Sequence, residues 1–186
     1  MEGAQAFDQA VAALQAGGVV AFPTDTVYGI GVAVAHAASP HALAAIKGRP
    51  AAKPVAWLVG SADDLARYGE GVPAYAQALA QEGWPGALTL IVRASGEVPA
   101  AFCAADGTVA LRMPDSAEAC ALIGAVGCPL ATTSANLAGA EPPRSIAEAD
   151  PQVLARCAAV LAGEPSASGV PSAIVDCTGP EPRRIR

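Results

Sequence analysis

Strand-like apolar runs and helix-like amphipathic stretches intermingle along the whole of this 186-residue chain, and nothing else in it restricts the fold so much. Residues 4–16 put Phe7, Ala10, Val11 and Leu14 on one helical face, and Gly17-Gly18 stops that helix. Residues 19–22 are wholly apolar and read as a buried strand that Pro23 ends, opening the segment 23–31. Ser39 as N-cap and Pro40 at the first helical position open a helix that runs to Lys47 and ends at Gly48. Further strands are predicted over 54–59, 87–93, 108–112, 129–133, 158–162, 172–177 and 183–186, and helices over 62–68, 73–82, 115–126 and 145–157. Asp115 with Glu118, and Ser145 with Glu148, have the spacing of helix caps. No low-complexity linker or internal repeat divides the pattern. It predicts one α/β domain over residues 1–186, a twisted mixed sheet with helices packed against it and polar clusters where strands end.

Composition removes several functions. The net charge of -6 argues against a surface that binds nucleic acid broadly, so any such role is local. Five cysteines, an odd number with no C-x-x-C pair, predict reduced thiols and no disulfide framework. No basic segment followed by an apolar core opens the chain, and no apolar run has the length of a membrane span, so the cytoplasm is the expected compartment. The two histidines, His36 and His41, fit no zinc spacing. No Walker A loop, G-x-G-x-x-G fingerprint, nucleophile elbow or glycosidase-like carboxylate pair is present.

What remains is cations and hydroxyls in loops. Lys47, Arg49 and Lys53 fall within seven residues of a chain with only eleven Lys plus Arg. They suit a polyphosphate, although a helix C-terminus alone would also favour Lys47. The segment Thr132-Thr133-Ser134-Ala135-Asn136 could hold phosphate or complete a magnesium shell, but taken alone it reads first as a plain Ser/Asn turn. Arg112 lies at the end of an apolar strand and needs an anion, either a substrate carboxylate or a structural Asp. Pro23-Thr24-Asp25-Thr26 is dense in hydroxyls but is also compatible with an Asx turn. Together these groups suit nucleotidyl transfer, which asks for positioning and charge neutralisation more than covalent help.

The stretch from Pro23 through Tyr28-Gly29-Ile30-Gly31 resembles the opening motif of the YrdC family of threonylcarbamoyl-AMP synthases. Five later stretches resemble that family's motifs in the same order: Lys47-Gly48-Arg49-Pro50 with Lys53-Pro54, Trp84-Pro85-Gly86-Ala87-Leu88-Thr89, Thr108 to Pro114, Thr133 to Asn136, and Gly169 to Ile174. The resemblance implies a YrdC-like α/β fold with a large concave site. It also implies the condensation of L-threonine, bicarbonate and ATP to threonylcarbamoyl-AMP and pyrophosphate, the precursor of a tRNA modification. By motif position, Thr26, Arg112, Thr132 and Ser172 would hold threonine. Arg49, Lys53, Thr108, Ser134 and Arg186 would hold ATP, with Asn136 orienting a phosphate or the magnesium shell and Lys47 adding charge beside the phosphates. Lys47 and Arg49 are the catalytic candidates. Mg²⁺ would be held mainly through ATP, with no metal ligand set of the protein's own. Separate proteins would transfer the threonylcarbamoyl group, and tRNA would meet the chain through a local basic hollow.

Ala173 stands where the family carries a hydroxyl, Leu58 where some members carry His, and Leu137 to Ala140 lacks a hydroxyl common after the Asn. Relatives usually continue past the position of Arg186. Two rival readings remain from the resemblance: an RNA-binding or ribosome-associated paralogue without synthase activity, and the carbamoyl-adenylate chemistry of hydrogenase-maturation proteins.

Overall fold

The computed structural model describes residues 2–50, 54–164 and 168–186. Helix α1 (Glu2–Gln15) precedes β1 (Val20–Phe22), β2 (Gly29–Ala33) and α2 (His41–Lys47). Then come β3 (Ala56–Leu58), α3 (Asp64–Tyr68), α4 (Ala74–Gly83), β4 (Leu88–Arg93) and a 3-10 turn (Ala100–Phe102). The rest is β5 (Thr108–Arg112), α5 (Ala117–Val126), β6 (Leu130–Ser134), α6 (Pro151–Leu154), β7 (Ala159–Val160), β8 (Ala173–Asp176) and β9 (Arg183–Arg184). Among the described residues the nine strands form one sheet in the order β7-β1-β2-β6-β3-β5-β4-β8-β9. The pairs β1–β7, β3–β5 and β4–β8 are parallel and the others antiparallel, so the sheet is mixed, as expected.

Both faces of the central strands are buried, in the alternation that a strand's period of two requires. Ala21, Trp57, Ala131 and Leu111 point into the larger core with Tyr28, Tyr68 and Phe102. Val20, Phe22, Leu58 and Leu130 point the other way, into a second core closed by Leu14 of α1 and Leu122, Ile123 and Val126 of α5. Leu14 and Leu122 are wholly buried, and truncating either to Ala would cost about 2–5 kcal/mol.

Strand β2 is the element absent from the sequence expectation, because two glycines in five residues weaken the strand signal. Gly31 is required by close approach. A Cβ there would lie 2.9 Å from Thr132 Cγ2 and 3.0 Å from Phe22 Cε1. Two caps also differ. Ser116 rather than Asp115 caps α5, its Oγ accepting from Ala119 N–H at 3.3 Å, and Pro40, not Ser39, precedes the first residue of α2. The helix predicted over 145–157 shrinks to α6, because Pro151 pushes Asp150 into extended backbone (φ −62°, ψ 122°). Ser145 and Glu148 form a turn before it.

The helices leave part of the sheet uncovered. Thr132, Ala56, Ala110 and Arg112 share a face with Leu130 and Leu58 by strand alternation, and they lie beyond the reach of α1 and α5. Thr132, Ala56 and Arg112 of that open stretch line a cavity, and Ala110 faces the adjoining hollow.

Candidate active site

The cavity has a volume of about 450 Å³. Of the sequence-predicted site residues, Thr26, Lys47, Arg49, Arg112, Thr132, Ser134, Asn136, Ser172 and Arg186 all line it. Lys53 lies outside the described residues.

Arg112, at the end of β5, is held at all three of its guanidinium nitrogens. Its Nε donates to the Gly86 carbonyl at 2.9 Å, Nη1 to Thr26 Oγ1 at 2.7 Å, and Nη2 to Asp25 Oδ1. The guanidinium is 6% exposed. Burial pushes it below its ordinary basicity, the adjacent Asp25 carboxylate opposes that, and the positive Arg186 adds to it. A guanidinium has five N–H groups; those three bonds leave one on each Nη, which an anionic ligand can accept.

Arg49 differs in having no internal acceptors at Nε or Nη2, although both atoms are buried. Gly48 ends α2 in the left-handed conformation (φ +63°), and Arg49 N–H closes the turn on Ala44 O at 3.1 Å. That turn carries Arg49 off the helix axis to the cavity wall. Burial lowers its basicity as well. Donors buried without acceptors are costly unless an anion arrives.

Lys47 is not a free phosphate cation. Its Nζ donates to Ser134 O, to Asn136 O at 2.6 Å and to Asn136 Oδ1 at 3.1 Å, with Ser134 Oγ at 3.4 Å. The ammonium's three hydrogens therefore have acceptors. Asn136 is equally committed, its Nδ2 donating to Leu137 O at 2.9 Å and Ala140 O at 2.7 Å. Lys47 and Asn136 thus also fasten the loop after β6 to the end of α2, with a buried charge beneath the cavity. Ser134, at the end of β6, keeps its hydroxyl at the wall.

Thr132 Oγ1 donates to Ala56 O at 3.2 Å, which leaves its lone pairs for a ligand. Ser172 Oγ lies 2.8 Å from Thr89 Oγ1, while Arg186 Nε donates to Ser172 O at 2.9 Å. Thr108 is the exception among the predicted residues. It sits at the opposite end of β5, its Oγ1 donating to Asp106 Oδ1 at 2.6 Å, in an adjoining hollow of about 410 Å³. Pro54 and Val55 border both hollows. The sequence reading gave no role to Asp25, Thr24 or Thr89, which hold Arg112, Thr26 and Ser172. The hydroxyl density around Asp25 was the available signal, but a partner 87 positions away is not legible in it.

Among the described residues no cluster of His, Cys, Asp or Glu has the makings of a metal site, and no helix is long and apolar enough to cross a membrane.

Known proteins bear on this geometry. A threonylcarbamoyl-AMP synthase of Xanthomonas axonopodis pv. citri is 38% identical over 172 residues, covering 91% of each chain. That of Bacillus subtilis is 35% identical over 179 residues, 96% of this chain and 52% of its own. The crystal structure of Pyrococcus abyssi Sua5 complexed with L-threonine superposes with a TM-score of 0.89 at 32% identity. The match covers 97% of this chain and 53% of that one, so this chain spans about half the length of that protein. The family model for Sua5, YciO and YrdC, described as telomere recombination, matches residues 12–186. With that match over nearly its whole length, the chain belongs to the Sua5/YciO/YrdC family.

Proposed function

We propose that the chain is a threonylcarbamoyl-AMP synthase, a nucleotidyltransferase that joins L-threonine, bicarbonate and ATP. The observation that carries this reading is two arginines with unclaimed N–H groups on one cavity, Arg112 beside the hydroxyls of Thr26 and Thr132 and Arg49 with buried donors lacking acceptors. The first suits the carboxylate of an amino acid and the second suits phosphates. The relatives named as this synthase, and the threonine bound to Pyrococcus abyssi Sua5, support the assignment.

In this reading threonine lies against Arg112, Thr26, Thr132 and Ser172. ATP lies against Arg49, Ser134 and Arg186, its nucleoside reaching across Pro54 and Val55 toward Thr108. The threonine amine attacks the bicarbonate carbon, water leaves, and an N-carboxy species forms. Its carboxylate attacks the α-phosphorus, and the bond to the β-phosphate oxygen breaks to release pyrophosphate. Arg49 and Arg186 stabilise charge growing on the leaving group, and the cavity supplies proximity for three small reactants. Lys47 acts from below, holding the Ser134 loop and lending its charge. Asn136 Oδ1 accepts from Lys47 and Asp25 Oδ1 pairs with Arg112, which favours an ion carried by the nucleotide over one held by these side chains. In this reading magnesium enters with ATP, as the MgATP substrate. The product passes to separate transfer proteins acting on tRNA.

The test is incubation with ATP, Mg²⁺, L-threonine and bicarbonate, followed by chromatography. Threonylcarbamoyl-AMP and pyrophosphate in equal amounts are expected. No adenylate above a protein-free control would end the reading.

A further inference from the structure

The hydroxyls beside Arg112 have a determined polarity. Thr24 Oγ1 donates to the Val27 carbonyl at 2.8 Å, which spends its one hydrogen. Thr24 Oγ1 also lies 3.1 Å from Thr26 Oγ1. In that pair Thr26 must be the donor. Thr24 Oγ1 further accepts from Thr26 N–H at 3.2 Å, so both of its lone pairs are used. Thr26 Oγ1 in turn accepts from Arg112 Nη1 at 2.7 Å. A hydroxyl has one hydrogen and two lone pairs. Thr26, 2% exposed and on the cavity wall, is left with one lone pair and no hydrogen to give.

We propose that Thr24 is a positioning residue that fixes the direction of the Thr26 hydroxyl, so that the amino-acid subsite accepts from an amino group and rejects a second acceptor. The proposal rests on the threonine subsite of the preceding reading and deepens it. Arg112 supplies donors only and Thr26 an acceptor only, so a carboxylate and an amine one carbon apart are read by complementary partners. A ligand that places an acceptor oxygen against Thr26 meets lone pair against lone pair. An amine that donates to Thr26 also has its nitrogen lone pair turned away from the wall, toward an incoming carbon electrophile.

The test compares the wild type with Thr24→Val, Thr24→Ala and Thr24→Ser. Calorimetry measures the binding of L-threonine and of 3-hydroxybutanoate, which is threonine without its amino group, and a synthase assay gives KM for threonine and for ATP. Thermal unfolding checks each fold, and Thr24→Ala serves if the added methyl of Thr24→Val is not accommodated. Without the Thr24 acceptor the Thr26 hydroxyl is free to turn. The Val and Ala variants are then expected to lose about tenfold in threonine affinity, to raise KM for threonine alone, and to narrow the preference over 3-hydroxybutanoate. Thr24→Ser, which keeps the hydroxyl, is expected to restore the preference. Equal losses for both ligands, or an unchanged preference in folded Val and Ala variants, would overturn the inference while leaving the synthase reading intact. Failure of wild type to bind threonine would remove both.

Discussion

Lys47 Nζ lies 2.6 Å from the carbonyl oxygen of Asn136 and 3.1 Å from its Oδ1, so the last residue of α2 and the loop after β6 are one fastening. Ala138 N–H returns to the Lys47 carbonyl at 2.9 Å and closes it from the other side. Replacing Lys47 with Met keeps the length of the stem and strands the acceptors on Ser134 and Asn136. Each stranded group costs about 1–3 kcal/mol, so a loss of about 3 kcal/mol is expected in urea unfolding, with activity falling alongside. A Lys47→Met variant as stable as wild type but inactive would return the lysine to direct phosphate chemistry.

The Asp25–Arg112 pair separates stability from binding in a different way. The side chains are 11% and 7% exposed, respectively. Removing one partner of a buried pair leaves the other charge uncompensated, at about 3–5 kcal/mol. Asp25→Ala is expected to approach that loss. Asp25→Asn keeps an acceptor for Nη2 and should lose less, while KM for threonine rises because the guanidinium is held more loosely. Wild-type stability in Asp25→Ala would show that Gly86 and Thr26 hold Arg112 without the carboxylate.

At the far edge of the sheet, Asp176 is held below the ordinary carboxylate range, first by the Thr178 hydroxyl, then by the Thr178 N–H, with Arg183 assisting and burial opposing. The bonds measure 2.7 Å, 3.0 Å and 2.8 Å. A carboxyl depressed in the folded state stabilises above its unfolded pKa of about 3.9, and that stability is lost as pH falls through the folded value. Asp176→Asn should therefore flatten the acid limb of a stability–pH curve below about pH 4. An unchanged limb would mean that other carboxylates govern acid unfolding.

Burial pushes the Cys157 and Cys177 thiols up to about 11. Roughly one in three thousand is then thiolate near pH 7.5. Labelling of the native protein with an aromatic disulfide reagent should leave both slow, and unfolding in guanidinium should make them react at once. Rapid modification of Cys177 in the native state would place it nearer the surface than its 1% exposure allows.

Much of this architecture was legible because apolar runs and glycine stops mark strand and helix ends directly. Helices α1 to α5 and every strand but β2 overlap their predicted spans. Strand β2 was hidden because its Gly31 serves packing against Phe22 and Thr132, a tertiary demand that local propensity opposes. The helix over 145–157 was overextended because the apolar pattern outweighed Pro151 in the reading and did not in the chain. Most of the site residues were visible as scarce cations and hydroxyls. Their division of labour was not, since whether a lysine faces a ligand or a carbonyl depends on contacts 87 and 89 positions apart.

Arg49 is where stability and function should part most clearly. Its Nε and Nη2 have no acceptors, and burial works against its charge. Truncation therefore deletes a desolvated charge and breaks no bond at either atom. Arg49→Ala is expected to keep wild-type stability within about 0.5 kcal/mol, or to gain slightly. MgATP affinity should fall at least tenfold, about 1.4 kcal/mol, and adenylate formation should cease. Arg49→Lys keeps the charge but not the planar fork, so only part of the affinity should return. Titration calorimetry with MgATP, run beside thermal unfolding of the same samples, reads both quantities. Unimpaired MgATP binding by a folded Arg49→Ala protein would move the phosphates elsewhere in the cavity and leave the two orphan donors without an explanation.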